Sequence, residues 1–339
     1  MKKTLLALVG AGLLAVSVMA ADAPFNEDIP DRYTVVKGDT LWDISNMFLQ
    51  DPWLWPEIWF VNPQISNPHL IYPGDIIKLV YIDGKPRLTV ERGRTVKLEP
   101  EAKVIPHEEA IPTLPLDVID NFLSRTRVVQ PGQLELAPYV IAGHEKRILT
   151  GKGDDFYVRG ELSPNVDFYG IYRKGDPYVD PETDELLGIR AQDVGSAQLK
   201  STDGEIATFA ATRSVEEIRI GDRLLPHEER RLETTFYPSP PGDDVEGLII
   251  AVDGGVTQVG HLDVVAINRG KRDGLVIGNM LAIYKAGEQV RDRIKGDMVT
   301  LPAERAGLLM VFRTYDKMSF GLVMHAERPL AVGDQIRNP

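Results

Sequence analysis

The side chains most apt for recognition or chemistry in this chain are its tryptophans, histidines and carboxylates. All four tryptophans, Trp42, Trp53, Trp55 and Trp59, fall within eighteen positions of a 339-residue sequence, three of them in D-P-W-L-W-P-E-I-W. An indole can stack on a sugar ring or fill a small core. The six histidines, His69, His107, His144, His227, His261 and His325, stand singly, and neither H-E-x-x-H nor H-x-H occurs, so no zinc-ligand cluster is spelled out. There is no cysteine, which removes disulfides, thiolate ligands, cysteine nucleophiles and lipid attachment at an N-terminal cysteine. The serine-hydrolase elbow G-x-S-x-G is absent. A glycosidase needs only two carboxylates, and 50 acidic residues always offer pairs. The pattern is mostly β with no helical catalytic domain, which argues against a lysozyme-like transglycosylase. The reading is a non-catalytic chain with no metal and no cofactor. The alternative is a cell-wall hydrolase with an unrecognised carboxylate site.

The tryptophans sit inside a short βααβ pattern. Tyr33 to Val36 alternates and is β-branched, as a strand does. Gly38 permits a turn, and Asp39 is placed to cap a helix beginning at Thr40. Leu41, Ile44 and Phe48 recur at i, i+3 and i+7 on one helical face, with Trp42 beside it. Asp51-Pro52 breaks the chain, and Pro56 suits the first position of a second helix running to Val61. After the turn-rich I-S-N-P-H-L-I-Y-P-G-D, Ile76 to Val80 returns as a strand.

Y-T-V-V-K-G-D-T-L-W-D-I-S followed by N-P-H-L-I-Y-P-G-D-I-I-K-L resembles the LysM family over Tyr33 to Val80. The resemblance implies binding of N-acetylglucosamine-containing glycans such as peptidoglycan and chitin in a shallow groove between two loops. By position, the groove residues are Gly38, Asp39, Thr40 and Leu41 on one side. Asn67, Pro68, His69, Leu70 and Ile71 are on the other. The tryptophans are not at those loop positions. A domain of this size without disulfides has difficulty burying enough apolar area. Trp42 and Trp59 therefore read as core or inter-domain packing. Trp53 and Trp55, in a segment longer than an ordinary LysM connection, divide evenly between core on one side and interface or extended sugar contact on the other. His69 reads as a groove-rim residue.

Residues 81–129 read as a β-hairpin turning at Asp83-Gly84, a proline-rich connector giving the glycan module some freedom, and a short helix over Leu116 to Leu123 behind Pro115. Strands dominate from Gln130. An internal repeat runs at an offset of 112 residues: I-Y-R-K-G at Ile171 and I-Y-K-A-G at Ile283, Gly195 and Gly307, Gly221-Asp222 and Gly333-Asp334. A looser likeness joins Val140 to Ile249. The fold class is therefore multidomain and mostly β: an N-terminal βααβ module, then two related β-rich, barrel-like modules over 130–230 and 240–339, in tandem or sharing one barrel. Gly270, Gly274 and Gly278 recur between strands with no helix start behind them, as turn and barrel-corner glycines do. This stretch resembles the C-terminal β-domain of the flagellar assembly protein FlgT.

The first twenty residues carry Lys2 and Lys3, an apolar run from Leu5 to Met19, and small residues at Val18 and Ala20. That is a secretory signal peptide cut after Ala20. About 319 residues remain, with the net charge moving from −12 to −14 as Lys2 and Lys3 are lost. Such acidity disfavours nucleic acid and anionic lipid, and no later segment is apolar enough to span a membrane. The implied location is the periplasm, bound to the cell wall near the outer membrane, the alternative being a released or surface-bound protein. The whole arrangement resembles the secretin-associated LysM proteins of type IV pilus systems, the TsaP family. That resemblance implies peptidoglycan and an outer-membrane secretin as partners, joined by an anchor.

Overall fold

The computed structural model describes residues 25–26, 28–58, 71–82, 85–91, 112–147, 150–227, 236–253, 258–285, 287 and 289–339. Residues 1–20, expected to be a leader, Trp59, and most of the expected proline-rich connector lie outside the described residues. Within them, no helix is long and apolar enough to cross a membrane.

The N-terminal module contains β1 (Arg32–Thr34), α1 (Leu41–Phe48), a 3-10 turn at Pro52–Leu54, α2 (Trp55–Ile58), β2 (Ile76–Ile82) and β3 (Lys85–Glu91). Helix α1 starts where it does because Thr40 caps it. The Thr40 hydroxyl accepts from the Asp43 N–H at 3.1 Å, and the Asp43 carboxylate accepts from the Thr40 N–H at 3.2 Å, a reciprocal capping box. Asp39 does not cap the helix. Its carboxylate accepts from the Val36 N–H at 2.9 Å and the Tyr33 hydroxyl at 2.8 Å, closing the turn before the helix. Leu41, Ile44 and Phe48 share one core with Trp55, Ile71 and Ile77. The hairpin expected after the module is its third strand: β3 pairs antiparallel along the whole of β2, giving the sheet β1-β2-β3.

After α3 (Leu116–Arg125), β4 (Thr126–Val129) and α4 (Gln133–Leu136), six strands form the first barrel. They are β5 (Tyr139–Gly143), β6 (Asp155–Arg159), β7 (Phe168–Val179), β8 (Leu186–Asp203), β9 (Ile206–Ser214) and β10 (Arg223–Pro226). Pairing runs β5-β6-β9-β8-β7-β10 and returns to β5. The remaining strands are β11 (Glu246–Val252), β12 (Gln258–Val259), β13 (Val264–Ile267), β14 (Met280–Lys285), β15 (Gln289–Arg291), β16 (Met298–Thr300), β17 (Glu304–Thr314), β18 (Ser319–Ala326), β19 (Leu330–Ala331) and β20 (Gln335–Arg337). Of these, β11-β13-β18-β17-β14-β20 close a second barrel with the same strand order as the first.

The repeat is thus two barrels in tandem. Ile171 pairs with Gly195 and Leu224, and Ile283 with Gly307 and Ile336; Gly195 pairs with Ser214, and Gly307 with Ala326. Every partner is displaced by the same 112 positions. Both copies also bulge after the isoleucine. Gly221 and Gly333 adopt φ of 92° and 93°, which an L side chain resists. The aspartates behind them, Asp222 and Asp334, pair with Arg173 (2.9 Å) and Lys285 (3.2 Å) at equivalent strand positions. Gly270 is a close-approach glycine, since a Cβ there would meet the backbone of Tyr315 to Met318.

The barrels and the N-terminal module meet on the outside of the second barrel. Along β17, Leu309 and Val311 point into that barrel, while Leu308, Met310 and Phe312 point out. The outward face, continued by Val264, Ala266, Phe320 and Leu322, is covered by Ile119 and Phe122 of α3, by Leu187 of β8 and by Trp42 of α1. Phe122 meets Phe320 and Phe312 edge-on, with centroids 4.6 and 5.8 Å apart. The expected freedom of the N-terminal module is therefore not found. Trp42 is anchored in this cluster, and Asp51 pairs with Arg305 of β17 at 3.7 Å.

Beyond the first barrel, β7 and β8 continue as a two-stranded arm that lies on the second. Its tip makes the buried bond from the Asn268 amide to Asp180 (3.0 Å), a two-pronged pair between Arg272 and Glu185 (2.9 and 2.7 Å), and a Lys317–Glu185 bridge (2.7 Å). The Arg272 and Lys317 hydrogen bonds hold the Glu185 carboxyl down at about 2. A lowered carboxyl contributes stability above its ordinary value near 4.5 and loses it as pH falls toward about 2. In acid titrations monitored by circular dichroism, wild-type protein will lose more stability across that window than Glu185→Gln. In urea at neutral pH, Phe122→Ala will destabilise by about 3–5 kcal/mol, the usual cost of emptying an aromatic core site.

Candidate functional site

The loop before α1 and the turn before β2 are tied together through the backbone. The Val35 N–H donates to Asp75 O at 2.9 Å, and the Gly74 N–H donates to Val35 O at 2.8 Å. This sets Lys37, Gly38 and Asp39 beside Tyr72, Pro73 and Gly74. Gly38 is exposed with φ of 103°, and nothing among the described residues stands within 4 Å of where its Cβ would be. Asp39 is half-buried, held by Tyr33 and Val36. Burial and the Asp39 carboxylate push the Tyr33 hydroxyl up to about 12, so at neutral pH it is a neutral phenol donating to Asp39.

The other residues proposed for the groove divide into three groups. Thr40 is buried as the helix cap, and Leu41 and Ile71 are core side chains. Asn67, Pro68, His69 and Leu70 lie outside the described residues. The first turn of α1 is closed by its own chain: the Leu41 N–H donates to Pro112 O at 2.9 Å and the Trp42 N–H to Thr113 O at 3.2 Å. With the Thr40 and Asp43 N–H groups used in the capping box, the donors a helix start ordinarily offers a ligand are taken.

Of the three described tryptophans, two are buried and Trp53 is half-buried. Trp55 is in the module's core, Trp42 is in the junction with the second barrel, and Trp53 packs against that junction. The segment Q-D-P-W-L-W is thus divided, with Asp51 and Trp53 at the junction and Trp55 in the module's own core. Its composition marks it as apolar, but nothing local in the sequence says what covers it.

Elsewhere, no group of His, Asp and Glu among the described residues can hold a metal ion. A cavity of about 400 Å³ lies between α3, the β7–β8 arm and the second barrel, lined by Phe122, Tyr178, Arg190, Asp253 and Phe320. Another, of about 630 Å³, opens at one end of the first barrel beside Tyr139, Arg159, Glu161 and Glu205. Arg159 grips Glu205 there at 2.8 and 3.2 Å. Among the described residues, the carboxyl groups whose affinity for protons is displaced, Glu91, Glu135 and Glu185, all move downward beside Lys or Arg. A general acid needs the opposite shift.

Residues 33–80 match the family model of the LysM domain. A Bacillus subtilis (strain 168) protein described as "Uncharacterized protein YqbP" is 39% identical over 64 residues, covering 16% of this chain and 29% of that protein. The matched part is thus under a third of that relative's length. The N-terminal module is a LysM domain, a carbohydrate-binding and non-catalytic unit of the kind that binds cell walls outside the cytoplasm.

The Tyr33–Asp39 contact yields a titration signature. A raised phenol stabilises the fold up to its ordinary value near 10.0, and that contribution fades as pH climbs toward about 12. In spectrophotometric titration of the folded protein, Tyr33→Phe will remove one late-titrating phenol, leaving Tyr178, also raised to about 12 by burial.

Proposed function

We propose that this protein is a non-catalytic anchor that holds peptidoglycan through its LysM domain and an envelope machine through its barrels. The observation that carries the reading is the LysM match at residues 33–80, in a module seated on the second barrel through Trp42 and the Asp51–Arg305 pair. A glycan-binding module fixed to a rigid body transmits load, whereas one on a slack tether does not. The glycan lies along the exposed loop at Gly38 and Asp39 and against the segment Asn67 to Leu70, with acetamido groups meeting backbone N–H and C=O. The partner is an outer-membrane secretin ring of the type IV pilus kind, and the location is the periplasm after removal of the leader.

Co-sedimentation of the mature protein with purified sacculi tests the reading. Wild-type protein will pellet, and the supernatant will contain no released muropeptides. Gly38→Arg will fold, at a cost of about 1–2 kcal/mol for an L residue at positive φ, and will lose about tenfold in sacculus retention while still co-purifying with the secretin. Soluble fragments in the supernatant would make the protein a hydrolase. Full retention by a natively folded Gly38→Arg would remove the loop from the site.

A further inference from the structure

The two barrels carry equivalent arms with different fates. In the first, Val179 pairs with Leu186, and the Asp180 N–H donates to Glu185 O at 2.9 Å. In the second, Arg291 pairs with Met298, and the Asp292 N–H donates to Asp297 O at 2.8 Å. The tip turns match in detail: Asp180 accepts from the Glu182 N–H at 2.9 Å, and Asp292 from the Ile294 N–H at 2.7 Å. All these positions differ by 112.

The first arm is docked. Leu187 is 1% exposed against the second barrel, and the acidic tip (Asp180, Glu185) meets Asn268, Arg269, Arg272 and Lys317. Among the described residues, nothing covers the second arm. Val299, the counterpart of Leu187, is 45% exposed, Met298 is 60% exposed and Ile294 96%. Its two strands pair with each other alone, and an isolated two-stranded hairpin is marginal in water. The charge is inverted as well. Arg291, Arg293 and Lys295 outnumber Asp292 and Asp297 on the second tip, and among the described residues neither Arg293 nor Lys295 forms an ion pair.

We infer that the Gln289–Thr300 arm docks on a second protein that presents an apolar sheet face rimmed by carboxylates. The occupant's chemistry is read from the first arm, an acidic, apolar arm on a basic-rimmed apolar barrel face, with the charges exchanged. A second copy of this chain does not supply the face. Its second barrel is already covered by its own first arm. The first barrel has Gln198, Lys200, Thr208 and Ala210 where the second has Met310, Phe312, Phe320 and Leu322. The inference is independent of glycan binding and stands if sacculi are not retained.

The test is photo-crosslinking of the full chain in the cell that makes it, with p-benzoylphenylalanine at Ile294 or Val299 and, as a control, at exposed Leu136 of α4. The expected result is one discrete protein adduct from both arm positions and none from the control. Its crosslinked residues should map to an apolar face flanked by Asp or Glu. Arg293→Glu with Lys295→Glu, natively folded by circular dichroism, should cut the adduct about tenfold, as loss of rim charge does at steered interfaces. Reversing the mapped carboxylates to Lys should restore it. The inference is overturned by no discrete adduct, by an adduct that survives the charge reversal, or by an adduct to a second copy matched by dimerisation in analytical ultracentrifugation. It is equally overturned if the arm yields lipid adducts and the protein floats with phosphatidylglycerol vesicles in an Arg293-dependent way.

Discussion

The structure is organised by the outward face of the second barrel. A barrel strand ordinarily alternates apolar-in and polar-out, but G-L-L-M-V-F on β17 is apolar on both sides. Leaving Met310, Phe312 and their neighbours in water would cost about 1.5–3 kcal/mol for each side chain. Segments far apart in the chain converge to cover them: α1 with Trp42, α3 with Phe122, and the first barrel's arm with Leu187. One demand for burial therefore sets the position of the glycan-binding module, the path of the connector where it ends, and the angle between the barrels. Salt bridges at the arm tip fix its register on that face, while the apolar contacts supply the driving force.

A second device recurs at smaller scale. In Gly38-Asp39, Gly74-Asp75, Gly153-Asp154, Gly221-Asp222 and Gly333-Asp334, the glycine has positive φ, and the carboxylate accepts the N–H of the residue three before it. It appears in the LysM domain and in both barrels because the same turn is needed wherever a strand must be entered or left tightly. Asp39 is held first by this local geometry. Its carboxylate already accepts two hydrogen bonds, from the Val36 N–H and the Tyr33 hydroxyl.

What the sequence made legible was periodic or local. The Leu41, Ile44 and Phe48 face, the helix behind Pro115 and the 112-residue repeat all appear as predicted, because each depends on spacing within one element or on an offset between copies. Helix capping was misassigned by one residue: Asp39 and Thr40 are both good caps, and the choice turns on Asp43 completing a box with Thr40. The tethering of the N-terminal module was missed for a different reason. Trp42 looks the same in sequence whether it faces its own domain or another, and the buried residues clustered with it begin at Leu114, more than 70 positions away. Of the proposed groove, Leu41 lies on the helical face that spacing marks as core and Thr40 is the helix cap, whereas Ile71 is buried by packing that no local pattern encodes.

The two barrels show how duplication was turned into asymmetry. Their strand order, bulges and Gly-Asp turns are shared, so the difference between them lies in which side chains face outward. Gln198, Lys200, Thr208 and Ala210 leave the first barrel's equivalent face wettable, whereas Met310, Phe312, Phe320 and Leu322 make the second barrel a platform. A platform can be covered only once, and the first arm covers it. The second arm, built to the same plan, is then necessarily left over. On the proposed reading, glycan and partner both bear on the second barrel, the glycan through Trp42 and the partner through the free arm. Force between them would cross packed side chains and closed hydrogen-bond ladders rather than a linker. Shearing paired strands within a closed barrel breaks many bonds at once, which suits that barrel to carry load.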